Sequence, residues 1–206
     1  SGSMSICSGE SIVLNATAQA GSGTISAYQW FNNGTRINGA TTNNLTVNQS
    51  GDYVLQVANS NGCVNNTTAV AVIVNPLPTV VASASSTSIC AGAPSTLSAT
   101  GATTYTWMPG SLTGSPVVTP TTTTTYTVTG TNASGCSNTA TKTITVNPLP
   151  NVVANASSLN ICAGSSATLS ATGATSYTWM PGSLTGSPMV TPTATTTYTV
   201  TGTNAS

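Results

Sequence analysis

The twelve residues YTWMPGSLTGSP run from Tyr105 to Pro116 and return unchanged from Tyr177 to Pro188. Successive side chains of an extended strand point to opposite sides, so Tyr105 and Trp107 share one face while Thr104 and Thr106 share the other. The Pro109-Gly110 pair then closes the run with a turn signal. Aromatics on one face and threonines on the other describe a half-buried strand with a core beneath it and water above.

The repetition extends well beyond that stretch. Residues 79–134 and 151–206 align without gaps at an offset of 72, with 46 of 56 positions identical. A fixed period of this kind marks a tandem array. NPLP recurs at Asn75–Pro78 and Asn147–Pro150, and ICAG at Ile89–Gly92 and Ile161–Gly164. A diverged copy precedes these two. In it Cys7 stands for Cys90, Tyr28 and Trp30 for Tyr105 and Trp107, Tyr53 for Tyr126, and Cys63 for Cys136. The expected domains are residues 1–75, 76–147 and 148–206. The third copy stops at the equivalent of Ser134, so it has no counterpart of Gly135–Asn147, and the first begins at the equivalent of Ala84. The chain therefore reads as a fragment of a longer repetitive protein with ragged ends, although Ser1–Met4 reads alternatively as a cloning remnant.

Thr and Val suit the pleated, half-buried surface of a sheet, and the chain is poor in the usual helix formers. In the second repeat, alternation and turn residues predict strands near Val80–Ser85, Ser95–Thr100, Thr103–Met108, Val117–Thr119, Thr123–Thr131 and Thr139–Val146. Several short strands with a core Trp between two Cys match an all-β fold of tandem immunoglobulin-like β-sandwich domains. Trp30, Trp107 and Trp179 are the expected core aromatics. The alternative, that they stack on sugars, conflicts with their position in phase with a Tyr two residues earlier. The NPLP joints leave about four residues between strands, and Pro fixes φ near −65°, which predicts neighbouring domains held in an extended array.

Five cysteines are spaced for intradomain bridges, Cys7–Cys63 and Cys90–Cys136, with Cys162 left unpaired. Loops of about 50 residues closed in this way would stabilise each small domain by roughly 4 kcal/mol in the chain-entropy estimate. Free thiols and zinc ligands are the competing readings, and zinc is disfavoured by the long spacings and the lack of His. Disulfides persist in oxidising compartments, which points to export.

The chain holds two Lys+Arg (Arg36 and Lys142), two Asp+Glu (Glu10 and Asp52) and no His. General acid–base and metal-assisted chemistry draw on those residue types, so no enzyme, cofactor or metal site is expected. Clustered positive charge is equally scarce, which argues against nucleic acid and anionic lipid as partners. No apolar stretch approaches the roughly 18 residues of a membrane span. Near-zero charge also removes repulsion between copies, so lateral self-association is expected among possible contacts. The threonine run Thr121–Thr125 reads as a solvated strand face chosen for β-propensity rather than as a binding array.

The stretches Tyr28–Cys63 (YQWFNNGTRINGATTNNLTVNQSGDYVLQVANSNGC) and Ser88–Cys136, with SICAGAPSTLSATGATTYTWMPG and TTTTTYTVTGTNASGC, resemble immunoglobulin-like and PKD-like repeats of large Bacteroidetes surface proteins. The resemblance implies export by the type IX secretion system and an extracellular, cell-surface location. It also implies a stalk or spacer segment of a repetitive adhesin or filament, of the kind used in gliding, whose partners are the neighbouring repeats of the same chain. The alternative it leaves open is a carbohydrate-binding or accessory array of an extracellular polysaccharide-degrading enzyme, with surface polysaccharide as the partner.

Overall fold

The computed structural model describes residues 3–204, and every regular element among them is a strand. The chain packs as two compact units. One comprises the residues up to Ala82 together with Ala99–Gly114 and Thr127–Ala140; the other comprises Ser83–Ser98, Ser115–Tyr126 and the residues from Thr141 onward.

The first repeat contains β1 (Ser3–Cys7), β2 (Ile12–Asn15), β3 (Ile25–Asn32), β4 (Thr35–Arg36), β5 (Asn44–Val47), β6 (Gly51–Asn59), β7 (Val64–Asn66) and β8 (Val70–Asn75). One sheet runs β1-β8-β6-β3-β4, with β7 also paired to β6, and β2 pairs with β5 in a second sheet. Leu14 and Val47 from the small sheet meet Trp30, Tyr53, Leu55 and Val72 from the large one in a single core. Alternation explains the choice: in β6 the buried Tyr53 and Leu55 bracket the less buried Val54. Ser3 and Met4, which the sequence left open as a cloning remnant, belong to β1 and pair with Ala71 and Val72. The Tyr53 hydroxyl donates to the Gln49 carbonyl at 2.9 Å, fixing the corner where the chain enters β6. This is the tyrosine corner of immunoglobulin-type sandwiches.

The second repeat contains β9 (Val81–Ala84), β10 (Ser88–Cys90), β11 (Ser95–Thr100), β12 (Thr104–Met108), β13 (Leu112–Thr113), β14 (Val117–Val118), β15 (Thr124–Thr131) and β16 (Ser137–Asn147). Its sheets run β10-β16-β15-β12-β13 and β14-β11-β9. Gly101, in the turn between β11 and β12, has φ +93°, and a Cβ there would overlap the Thr79 carbonyl. Only glycine fits both demands.

The third repeat contains β17 (Val153–Ala156), β18 (Ala167–Thr172), β19 (Ser176–Met180), β20 (Leu184–Thr185), β21 (Met189–Val190) and β22 (Thr199–Thr203). Its sheets run β17-β18-β21 and β20-β19-β22. Ala167, Leu169 and Val190 from the first meet Trp179 from the second. The architecture is therefore that of tandem immunoglobulin-like β-sandwiches.

Candidate functional site: the joint between the first two repeats

The three tryptophans are core residues. Trp30, Trp107 and Trp179 are 3%, 0% and 1% exposed. Their indole N–H groups donate to the carbonyls of Thr42, Gly114 and Gly186 at 2.9, 3.0 and 3.0 Å. No ring face is left for a sugar. The corner tyrosine Tyr53 and its counterpart Tyr126 have pKa values raised by burial. Among the described residues, no three His, Cys, Asp or Glu side chains gather closely enough to share a metal ion.

The cysteines depart from the sequence reading. Instead of Cys7–Cys63 and Cys90–Cys136, the structure joins Cys7 to Cys136, 129 residues apart, with the Cα atoms at 5.5 Å. Cys63 and Cys90 are free and exposed, as is Cys162. The reason lies in strand direction. Strand β1 runs parallel to β8, with Cys7 opposite Asn75, the last residue of β8. Cys63 sits in the β6–β7 turn, about a dozen residues before that end. A strand path of this length covers roughly 35–40 Å. A disulfide needs Cα atoms within about 7 Å, so Cys7 and Cys63 lie at opposite ends of their sandwich and cannot meet. The register Cys90 opposite Asn147 imposes the same separation from Cys136 in the second repeat. What Cys7 does reach is the next repeat's turn, because both lie beside the linker.

That turn is built by Asn132. Its side-chain oxygen accepts the Ser134 and Cys136 N–H groups, both at 3.0 Å, while its backbone N–H donates to the Cys136 carbonyl at 2.9 Å. Asn59 does the same for Asn61 and Cys63 in the first repeat. The sequences NSNGC and NASGC thus encode one turn twice, and only its surroundings differ. The Asn132 amide donates to the Pro76 carbonyl at 3.0 Å, and the Asn138 amide to the Pro78 carbonyl at 3.1 Å. Pro78 and Cys136 are both buried. The linker is therefore fixed by a covalent bond and two hydrogen bonds from one hairpin. On the other side of the bridge, the Glu10 carboxylate accepts the Cys7 N–H at 2.8 Å and shapes the turn after β1.

The site so defined ties the first repeat, the NPLP linker and the β15–β16 turn together by one disulfide and two side-chain hydrogen bonds. Residues 1–76 match the family model described as "Ig-like domain CHU_C associated", so the first repeat is similar to that family, in keeping with the resemblance seen in the sequence. A comparison with curated protein sequences finds no match. Among solved structures, the full ectodomain of mouse nectin-like molecule 4 (Ig1–Ig3) is 13% identical, with 95% of this chain and 88% of that one covered, at a TM-score of 0.43. The fibronectin(III)-like modules of Clostridium thermocellum CbhA are 16% identical over 71% of this chain and 90% of theirs, at 0.38. The amphioxus IgVJ-C2 molecule is 16% identical over 69% and 99%, at 0.34. At such scores the strand order within each repeat, rather than these likenesses, carries the fold.

Proposed function

We propose that the chain is a non-catalytic spacer: a stretch of stalk or filament in a secreted, cell-surface adhesin, in which successive immunoglobulin-like domains, divided at about residues 75 and 147, set a distance instead of performing a reaction. The observation that carries this reading is the Cys7–Cys136 bridge together with the Asn132 and Asn138 bonds to the NPLP linker. A linker tied down in this way, with no reactive group beside it, suits a spacer better than a catalytic module. The bridge also favours an oxidising, extracellular setting. The partners in this reading are adjoining repeats and, through uncharged sides, other copies of the stalk. A role in gliding and a type IX export route rest on the family resemblance of the first repeat.

Small-angle scattering tests the proposal. Three modules of about 30–40 Å each predict a maximum dimension of about 90–120 Å under oxidising conditions, growing broader in distribution after reduction. A compact particle, or one indifferent to reduction, would refute it. Saturable retention on cellulose or chitin would instead favour the array of a polysaccharide-degrading enzyme, a reading that the burial of all three tryptophans disfavours.

A further inference from the structure

The large sheet of the first repeat has a second face, turned away from the core. Trp30, Tyr53 and Leu55 point into the core, so the alternating residues of the same strands, Gln29 and Phe31 in β3 and Asp52, Val54 and Gln56 in β6, point outward. The strand register lines them up. Phe31 pairs with Val54 on one side and with Arg36 of β4 on the other, and Gln29 pairs with Gln56. The one Arg and the one Asp of the chain thus share this face, and both are exposed. Two strand spacings and two residues of rise set their backbones about 12 Å apart. The Arg36 Nε–H donates to Gln29 Oε1 at 2.8 Å, which draws the guanidinium toward Gln29 and away from the hairpin end where Asp52 lies. The two charges therefore do not pair with each other.

Each charge is held in place by its surroundings. The Gln29 amide donates to the Trp30 and Ile37 carbonyls at 2.9 and 2.7 Å, which anchors the acceptor of Arg36 to the backbone. An arginine tethered in this way presents its terminal N–H groups as a planar fork and loses little side-chain freedom when a carboxylate meets it. Asp52 is fixed through its main chain: its N–H donates to Asn33 Oδ1 at 2.9 Å, and its carbonyl accepts the Asn33 N–H at 2.9 Å. The carboxylate takes no part in those bonds. In the second repeat the counterparts of Gln29, Asp52, Val54 and Gln56 are Thr106, Thr125, Thr127 and Thr129, and the charge is gone.

We propose that this face is an isologous interface at which two copies of the chain meet, Arg36 of each copy against Asp52 of the other. The inference rests on the lateral contact between copies in the spacer reading, and narrows it to one face. A two-fold axis lying in the interface and bisecting the line from Arg36 to Asp52 makes both ion pairs at once. That axis passes beside Phe31 and Val54, which then pack on their own copies between two charged ends. One charge of each sign about an apolar middle is complementary to itself and to no partner of uniform charge, which decides for a second copy. Four strands at about 4.8 Å and five residues at about 3.3 Å give a patch of roughly 300 Å², well below the roughly 800 Å² per partner of a standard interface. Such a dimer forms at on the order of 100 µM chain, and the charges set its register more than its strength.

Sedimentation equilibrium of the whole chain tests this, with the exposed thiols of Cys63, Cys90 and Cys162 alkylated so that no new disulfide imitates the contact. The apparent mass should climb toward twice the monomer value between about 10 and 500 µM, and less so at high salt. Arg36→Asp alone and Asp52→Arg alone should each weaken association at least tenfold. Mixed in equal amounts, the two variants should recover it, because each then meets its opposite in both pairs; a misfolded variant or a lost Gln29 bond gives no such recovery. A chain monomeric throughout, association that either charge reversal leaves unchanged, or a mixture no better than its parts would overturn the proposal. An extended particle that stays monomeric sinks the interface and leaves the spacer reading standing, whereas a compact one that still dimerises through this face does the reverse.

Discussion

The second and third repeats are nearly the same sequence in two structural situations. TTYTVTGT forms an eight-residue strand at Thr124–Thr131, yet only its last five residues, Thr199–Thr203, are strand in the third repeat. ICAG follows the same rule: Ile89 is buried in β10, while Ile161 is half-buried in an irregular stretch. In the second repeat β16 pairs between β10 and β15. A strand at a sheet edge needs a partner for its backbone N–H and C=O groups, and Val or Thr propensity does not replace one. Identical residues thus adopt different secondary structure according to the strands packed beside them.

The disulfide offers the strongest way to break this contrast. Cys136→Ser should cost about 4–5 kcal/mol in the chain-entropy estimate, read as a lower urea midpoint, whereas Cys162→Ser should leave it unchanged. An equal response would mean that the bridge does not set the second repeat apart. Core truncations come next. Val128, fully buried, should lose about 2 kcal/mol or more as Val128→Ala, and the half-buried Val200→Ala less than about 1 kcal/mol. Thermal unfolding of the two variants in the same buffer makes that comparison. Asn132→Ala removes the turn bonds and the bond to Pro76, and should cost about 1–3 kcal/mol. Local exchange should then rise at Cys136 and around Pro76.

The smallest effect concerns pH. Burial raises the Tyr53 and Tyr126 pKa values above the usual 10. The unfolded chain then gives up those protons first, so their contribution is complete below pH 10 and is lost as pH rises through the folded values. With so few other ionisable groups, the melting temperature should stay level from pH 6 to 9 and fall above 10. Tyr126→Phe should flatten that fall in the second repeat.

Much of the fold was legible because alternation is strong. The strands expected near Ser95–Thr100, Thr103–Met108 and Thr123–Thr131 coincide with β11, β12 and β15 to within a residue. Strands β10 and β13 were not, since two or three residues carry no period and exist only through their partners. The joint was half legible. Its cysteines, the NPLP linker and the glycine before Cys136 all stood out in the sequence, but equal spacing within each repeat suggested closure inside the domain. Pairing depends on which end of the sandwich each cysteine occupies, and that follows from the parallel run of β1 along β8, which no local pattern announces. Knowing that the opening strand pairs in parallel with the closing one would have placed Cys7 beside the linker.

One consequence of the bridge concerns tension. A chain pulled from beyond Cys7 and beyond Cys136 transmits force through the sulfurs, bypassing the backbone between them. Those 129 residues would otherwise pay out about 430–460 Å of slack. Covalent closure thus caps how far this part of the molecule can lengthen before a bond must be cut or reduced, and a chemical reductant becomes the switch between a short tether and a long one.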